Sequence, residues 1–161
     1  MTVTDVTKDA AARRMTLVAE FDAPVPRVWQ LWDDPRQLEK WWGPPTYPAT
    51  VVDHDLTPGG RVNYFMTGPE GDKHAGYWQI TSVDEPRSFS FTDGFADLDF
   101  NPNPDMPVST SVYTFAEHDG GTRAVFVSRY SSAEALQQVL DMGIVEGASL
   151  AINQIDDLIA S

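Results

Sequence analysis

Few side chains in this sequence are placed to move a proton, and their spacing narrows the chemistry available. Tyr64, Asp97 and Glu146 are the candidates for acid–base work. Glu146 stands one position before Gly147 in a helical stretch. Pointing inward it would be a buried carboxylate of raised pKa, suited to a general base; pointing outward, the reading preferred here, it is surface charge. Asp97 belongs to the run DGFADLDFNPNPDMP, residues 93–107, with Asp93, Asp99 and Asp105. Such a density of acids suits a hard cation, but the D-x-D-x-D-G…E calcium-loop spacing is absent, so the run is expected to be a solvated acidic loop. Phe95, Phe100 and Met106 are expected to order it as a lid over a pocket mouth. His54, His74 and His118 are isolated from one another in sequence, and no metal site is expected. No G-x-S-x-G elbow occurs, Gly59-Gly60 reads as a tight turn rather than a phosphate loop, and there is no cysteine to act as nucleophile or thiolate ligand. No cofactor is called for.

What the chain has in abundance is large apolar surface. Trp41, Tyr64, Met66, Trp78, Phe91, Phe95 and Phe126, with Gly143 and Gly147 opposite, are the candidate ligand-binding residues. Aromatic and Met side chains either fill an interior or line a cavity, and two glycines in a helix facing them favour open space. Trp41 and Trp42 are read as a pair at the cavity lip, one clamping a ligand and the other plugging the core.

These residues need elements to position them. MTLVAEF, residues 15–21, reads as a strand, and Val25, Val28, Trp29 and Trp32 share one face of a short helix. Asp34, Pro35 and Gln37 start a second short helix, which Gly43-Pro44-Pro45 ends. From Thr46 to Tyr130 short alternating runs are separated by Gly, Pro and Asp turn signals, which describes an antiparallel meander. Period 2 gives its apolar face as Val62, Tyr64 and Met66; Trp78 and Ile80; Phe89, Phe91 and Phe95; Tyr113 and Phe115; Ala124, Phe126 and Ser128. Ser131 to Glu134 has capping-box spacing, and no proline follows, so one helix from Ser132 to about Ala160 is predicted, its Leu140, Ile144 and Ala151 side on the sheet. The fold class is therefore α+β, a curved antiparallel sheet of six to seven strands wrapped around a long C-terminal helix.

The chain has 161 residues, expected as a flexible tail over residues 1–12 and one domain over 13–161. Eleven basic against 24 acidic side chains give a net charge of -13, without a basic patch, which argues against nucleic acid and anionic membrane surfaces as partners. The absence of an 18-residue apolar run, of a signal-like start and of cysteine leads to the expectation of a cytoplasmic protein.

The segments DAPVPRVWQLWDDPRQLEKWWGP, DLTPGGRVNYFM, GYWQITSVDEPRSFSF and GGTRAVFVSRY resemble the activator of 90-kDa heat-shock-protein ATPase homologue family, a START-like (SRPBCC) branch related to polyketide cyclases. The resemblance runs from about Met15 to Ala160. It implies the helix-grip fold and an inner hydrophobic cavity. The co-chaperone that names the family carries a separate N-terminal chaperone-stimulating domain, which nothing here resembles. The leading expectation is thus a module binding a small apolar or aromatic molecule. A cyclase- or dehydratase-type enzyme using the same pocket is the alternative, with Tyr64, Asp97 and Glu146 as candidates, and a chaperone-associated or homodimeric interaction protein is the third.

Overall fold

The computed structural model describes residues 3–160. Eight strands form one antiparallel sheet: β1 (Val3–Asp9), β2 (Arg14–Phe21), β3 (Ala49–His54), β4 (Arg61–Thr67), β5 (Lys73–Asp84), β6 (Ser88–Ala96), β7 (Ser109–His118) and β8 (Gly121–Tyr130). They lie in the order β1-β2-β8-β7-β6-β5-β4-β3. Two short helices, α1 (Val25–Asp33) and α2 (Pro35–Trp41), follow β2. Three more close the chain: α3 (Ala133–Asp141), α4 (Ile144–Asn153) and α5 (Ile155–Ala160). This is the helix-grip arrangement. In β2 the alternation Met15, Leu17, Ala19, Phe21 is buried residue for residue, as a half-covered strand requires.

The sheet exceeds the expected six to seven strands because most of the presumed tail is a strand. Val6 pairs with Leu17 and Asp9 with Arg14 across the β1–β2 hairpin. Periodicity could not reveal β1: it lies at the sheet edge and only Val3 and Val6 are half-buried apolar residues, so no alternation was imposed on VTDVTKD. Met1 and Thr2 lie outside the described residues.

The single C-terminal helix is also corrected. Ser132, not Ser131, caps α3, its side chain accepting the Ala135 N–H at 3.0 Å. Gly143 then takes φ +81° and ends α3, its N–H donating to the Leu140 carbonyl at 3.1 Å, while its own carbonyl accepts the Gly147 N–H at 2.9 Å to begin α4. The second interruption, at Gln154, keeps right-handed helical dihedrals. The cover nonetheless stays on the concave face, with Leu136, Val139, Ala151, Ile152 and Ile155 buried.

That face is divided into two halves. In one, α1 and α2 dock Trp29, Trp32 and Trp41 against Phe21, Phe89 and Phe115: Trp32 lies 4.7 Å from Trp41 and 4.8 Å from Phe115 between ring centroids, and Trp29 5.8 Å from both Phe89 and Phe115. The other half lies under α3 and α4. There the helix surface is small: a Cβ built on Gly147 meets nothing within 4 Å.

The two helix glycines should respond oppositely to alanine. Gly143→Ala forces a side chain into the left-handed region and should lower stability by roughly 1 kcal/mol. Gly147→Ala adds a good helix former into free space and should raise it by up to about 1 kcal/mol. Denaturant melts of the two variants beside the wild type check both signs.

Candidate functional site

Between the sheet and the α3–α4 cover a cavity of about 300 Å³ remains. Its wall is mostly apolar: Met15, Leu17, Met66, Phe95 and Phe126 from the strands, Val139, Ile144, Ala148 and Ile152 from the helices. Tyr64, Gly143 and Gly147 also line it. Tyr64 lies across Gly76 on the neighbouring strand, where an added Cβ would come within 2.5 Å of the phenol oxygen, so glycine is what lets the ring lie against the sheet.

Of the expected wall residues, Trp78 and Phe91 do not reach the cavity. Trp78 is fully buried with its ring 4.9 Å from Phe91 and 5.0 Å from Trp42, and Phe91 stacks 5.2 Å from Phe89. Period 2 gives the correct face for both, but they sit deeper, where other rings cover them. The two adjacent tryptophans divide their roles. Trp41 touches the cavity yet is almost wholly buried, its indole N–H donating to the Leu31 carbonyl at 2.9 Å. Trp42 is half-buried and faces the cavity beside Tyr64, their centroids 5.7 Å apart. The Gln154 amide donates to the carbonyls of Trp41 and Gly43 at 3.1 and 2.8 Å and so ties the C-terminal cover to this stretch.

Neither carboxylate among the acid–base candidates enters the cavity. Asp97 is exposed, and its Oδ1 accepts the N–H groups of Asp99 and Asn101 at 2.9 and 3.0 Å; these bonds hold its pKa below the ordinary value. The acidic loop is thus held by the Asp97 side chain and, from outside, by the Arg61 guanidinium donating to the Phe100 carbonyl at 3.1 Å; of Phe95, Phe100 and Met106 only Phe95 lines the cavity, joined by Pro107. Glu146 is exposed in the first turn of α4.

The acid of the cavity is Asp93. It stands in β6, not in the loop, opposite Trp78 on one side and Ser109 on the other. Ser109 in turn pairs with Tyr130. The next row along carries Ser111 and Ser128, whose hydroxyls join Ser109 in a buried chain of 3.2 and 3.0 Å contacts. Among the described residues no hydrogen bond or ion pair reaches the Asp93 carboxylate; what surface it keeps belongs to the cavity wall. Burial alone raises its pKa from 3.8 to about 7. Its charge adds to burial in raising the phenols of Tyr64, Tyr113 and Tyr130, the last to about 12. The signal was present in the sequence: Phe89, Phe91, Asp93 and Phe95 keep the period of 2 without a gap.

The histidines do not converge. His74 lies at the cavity mouth with Nε2 2.6 Å from Asp72 Oδ2, and His54 Nε2 lies 2.8 Å from the Trp32 carbonyl. On the β7–β8 hairpin His118 lies 3.2 Å from Glu20 and 3.3 Å from Asp119, a cluster remote in the register from the cavity-lining rows. No helix among the described residues is long and apolar enough to cross a membrane.

With this geometry in hand the chain can be set beside known proteins. The family described as activator of Hsp90 ATPase homolog 1-like protein matches residues 22–160. The chain belongs to this family. A crystal structure of protein Ms6760 from Mycobacterium smegmatis is similar at 73% identity and TM-score 0.91, over 97% of this chain and 96% of that one. A solution structure of an Arthrobacter aurescens protein matches at 45% identity and TM-score 0.94, over 99% and 92%. A putative protein in the dynemicin biosynthetic locus shares the fold alone, at 16% identity and TM-score 0.63, over 89% of this chain and 47% of that one. No curated protein matches the sequence. Family and fold together support a ligand-binding domain in general.

Two variants check the site. The folded protein retains the Asp93 proton up to about pH 7 while the unfolded chain releases it near 3.8, so the native state binds more protons between these values and stability falls as pH rises through that window. Asp93→Asn removes this penalty. Its gain in stability over wild type should be about 2–3 kcal/mol larger at pH 8 than at pH 5 in denaturant melts. Trp78→Ala, at a position enclosed on every side, should cost the full core penalty of roughly 3–5 kcal/mol.

Proposed function

We propose that this protein is a small-molecule binding domain whose cavity takes up an apolar, ring-containing molecule. The observation that carries the reading is the unfilled half of the concave face, about 300 Å³ beside a helix glycine whose missing side chain would occupy open space. That volume lies at the small end of ligand pockets, which enclose most of a bound molecule's surface and gain from its apolar burial. Of the large exposed apolar side chains, Val52 stands on β3, Leu98 and Val108 in the β6–β7 connection and Leu150 on α4, while Met142 belongs to the cavity lining, a scatter that favours a ligand over a docked partner.

A catalytic use of the same cavity is the second reading, favoured by one observation: an acid of pKa about 7 in the company of three tyrosines. Proton transfer in a cyclase- or dehydratase-type reaction would then rest on Asp93, with Tyr64, Tyr113 or Tyr130 orienting the substrate, and not on Asp97 or Glu146.

The binding reading is checked with N-phenyl-1-naphthylamine, an uncharged fluorophore that brightens in apolar surroundings. Wild type should take it up saturably. Gly147→Phe, which projects a ring into the free space, should weaken uptake by about tenfold or more while leaving the melting temperature within a few degrees. Absence of uptake by the folded wild type would return the interior to a solid core.

A further inference from the structure

We propose that the molecule this cavity is built to hold carries a cationic ammonium group, which pairs with Asp93, on an aromatic or alicyclic body. The inference rests on the cavity being a binding site and adds the charge and class of what binds. Its first ground is the placement of Asp93, on the inward face of β6 between Trp78 and Ser109, with the carboxylate on the cavity wall. A half-buried carboxylate left without a partner is disfavoured, and a protein that merely needed to fill this position would do better with an apolar or amide side chain. The missing partner is a positive charge.

Nothing in the wall supplies one. Among the described residues the lining contains neither lysine nor arginine, and His74 at the mouth is engaged by Asp72 at 2.6 Å. The same fact removes anionic occupants. A carboxylate, sulfate or phosphate would meet an acid and no cation in a low-dielectric space, where like charges repel most strongly.

The remaining wall suits an ammonium. Trp42, Tyr64, Tyr113 and Tyr130 all line the cavity, and their rings attract a cation held within about 6 Å. Asp93 lies close enough to the three tyrosines for its charge to act on each phenol. Ser109 and Ser128, on the same wall, offer hydroxyl oxygens to the other N–H bonds of a protonated amine. Beyond them the apolar surface of Met15, Leu17, Phe126 and Ile152 receives the body of the molecule. A net charge of -13 on the whole chain draws cations toward it.

The alternative is that Asp93 stays protonated and donates a hydrogen bond to a neutral ligand. A series sharing one ring system and differing in head-group charge separates the two: 1-naphthylmethylamine, 1-naphthalenemethanol and 1-naphthoate, titrated calorimetrically at neutral pH. In wild type the amine should bind about tenfold or more tighter than the alcohol, as a charge-assisted bond in a largely apolar cavity requires, and the naphthoate weakest. In Asp93→Asn the amine's advantage should shrink to within about threefold while the alcohol's affinity holds. The wild-type series decides the matter without the variant. If the alcohol or the naphthoate binds as tightly as the amine, or the amine fails while N-phenyl-1-naphthylamine is still taken up, the ammonium inference is overturned and the cavity reading stands. If every probe fails, both are overturned.

Discussion

A strongly curved sheet offers a concave face wider than the helices laid against it can cover, and how that face is divided governs everything else in this molecule. One half is filled by brute aromatic volume. Trp32 is its hub, in ring contact with Phe21, Trp41, Phe115 and Phe126 and wholly buried. Because that half is solid, the strands are fixed in curvature and register without help from the other half. The α3–α4 cover can therefore stand off from the sheet, with glycine at positions 143 and 147, and the fold survives the loss of contacts that a filled interior would have given.

The same division explains where polarity is tolerated. Beside the aromatic plug the inward positions are apolar except for Thr122, whose hydroxyl donates to the Ala23 carbonyl at 2.8 Å. Toward the open half Asp93, Ser109, Ser111, Ser128 and Tyr130 appear in adjacent rows of three strands. The serines satisfy one another, so they cost little. Asp93 is not satisfied, and it draws down the stability that the plug supplies. Gln154 links the two regions, since one side-chain amide holds the backbone on either side of Trp42.

Much of this architecture was legible in the sequence, for definable reasons. Turn signals at Pro58-Gly59-Gly60 and Asp119-Gly120-Gly121 stand between strands as read, and period 2 placed Val62, Tyr64, Phe89, Phe126 and Ser128 on the inner face. Periodicity reports a face, however, and not a depth. It could not separate Phe95, on the cavity, from Phe91 in the core, because the difference is made by the rings of Trp78, Phe89 and Tyr113 that enclose Phe91. Asp93 was hidden by its neighbours in sequence: an acid followed by glycine and three further aspartates reads as loop, although the alternation from Phe89 runs through it. The kink at Gly143 was obscured because helical periodicity continues on both sides of it.

The β1 strand bears on how freely this chain can change. Its residues Asp5, Lys8 and Asp9 occupy a margin that contributes little to the interior, yet its backbone occupies the hydrogen-bonding rail of β2. Strip that margin away and β2 becomes the outermost strand, an eight-residue segment alternating between buried and half-exposed positions and open to pairing with another copy. Apart from Val3 and Val6, which pack on the core, this strand is free to drift in side-chain identity so long as its backbone covers that rail, a fringe whose worth lies in keeping neighbouring molecules apart.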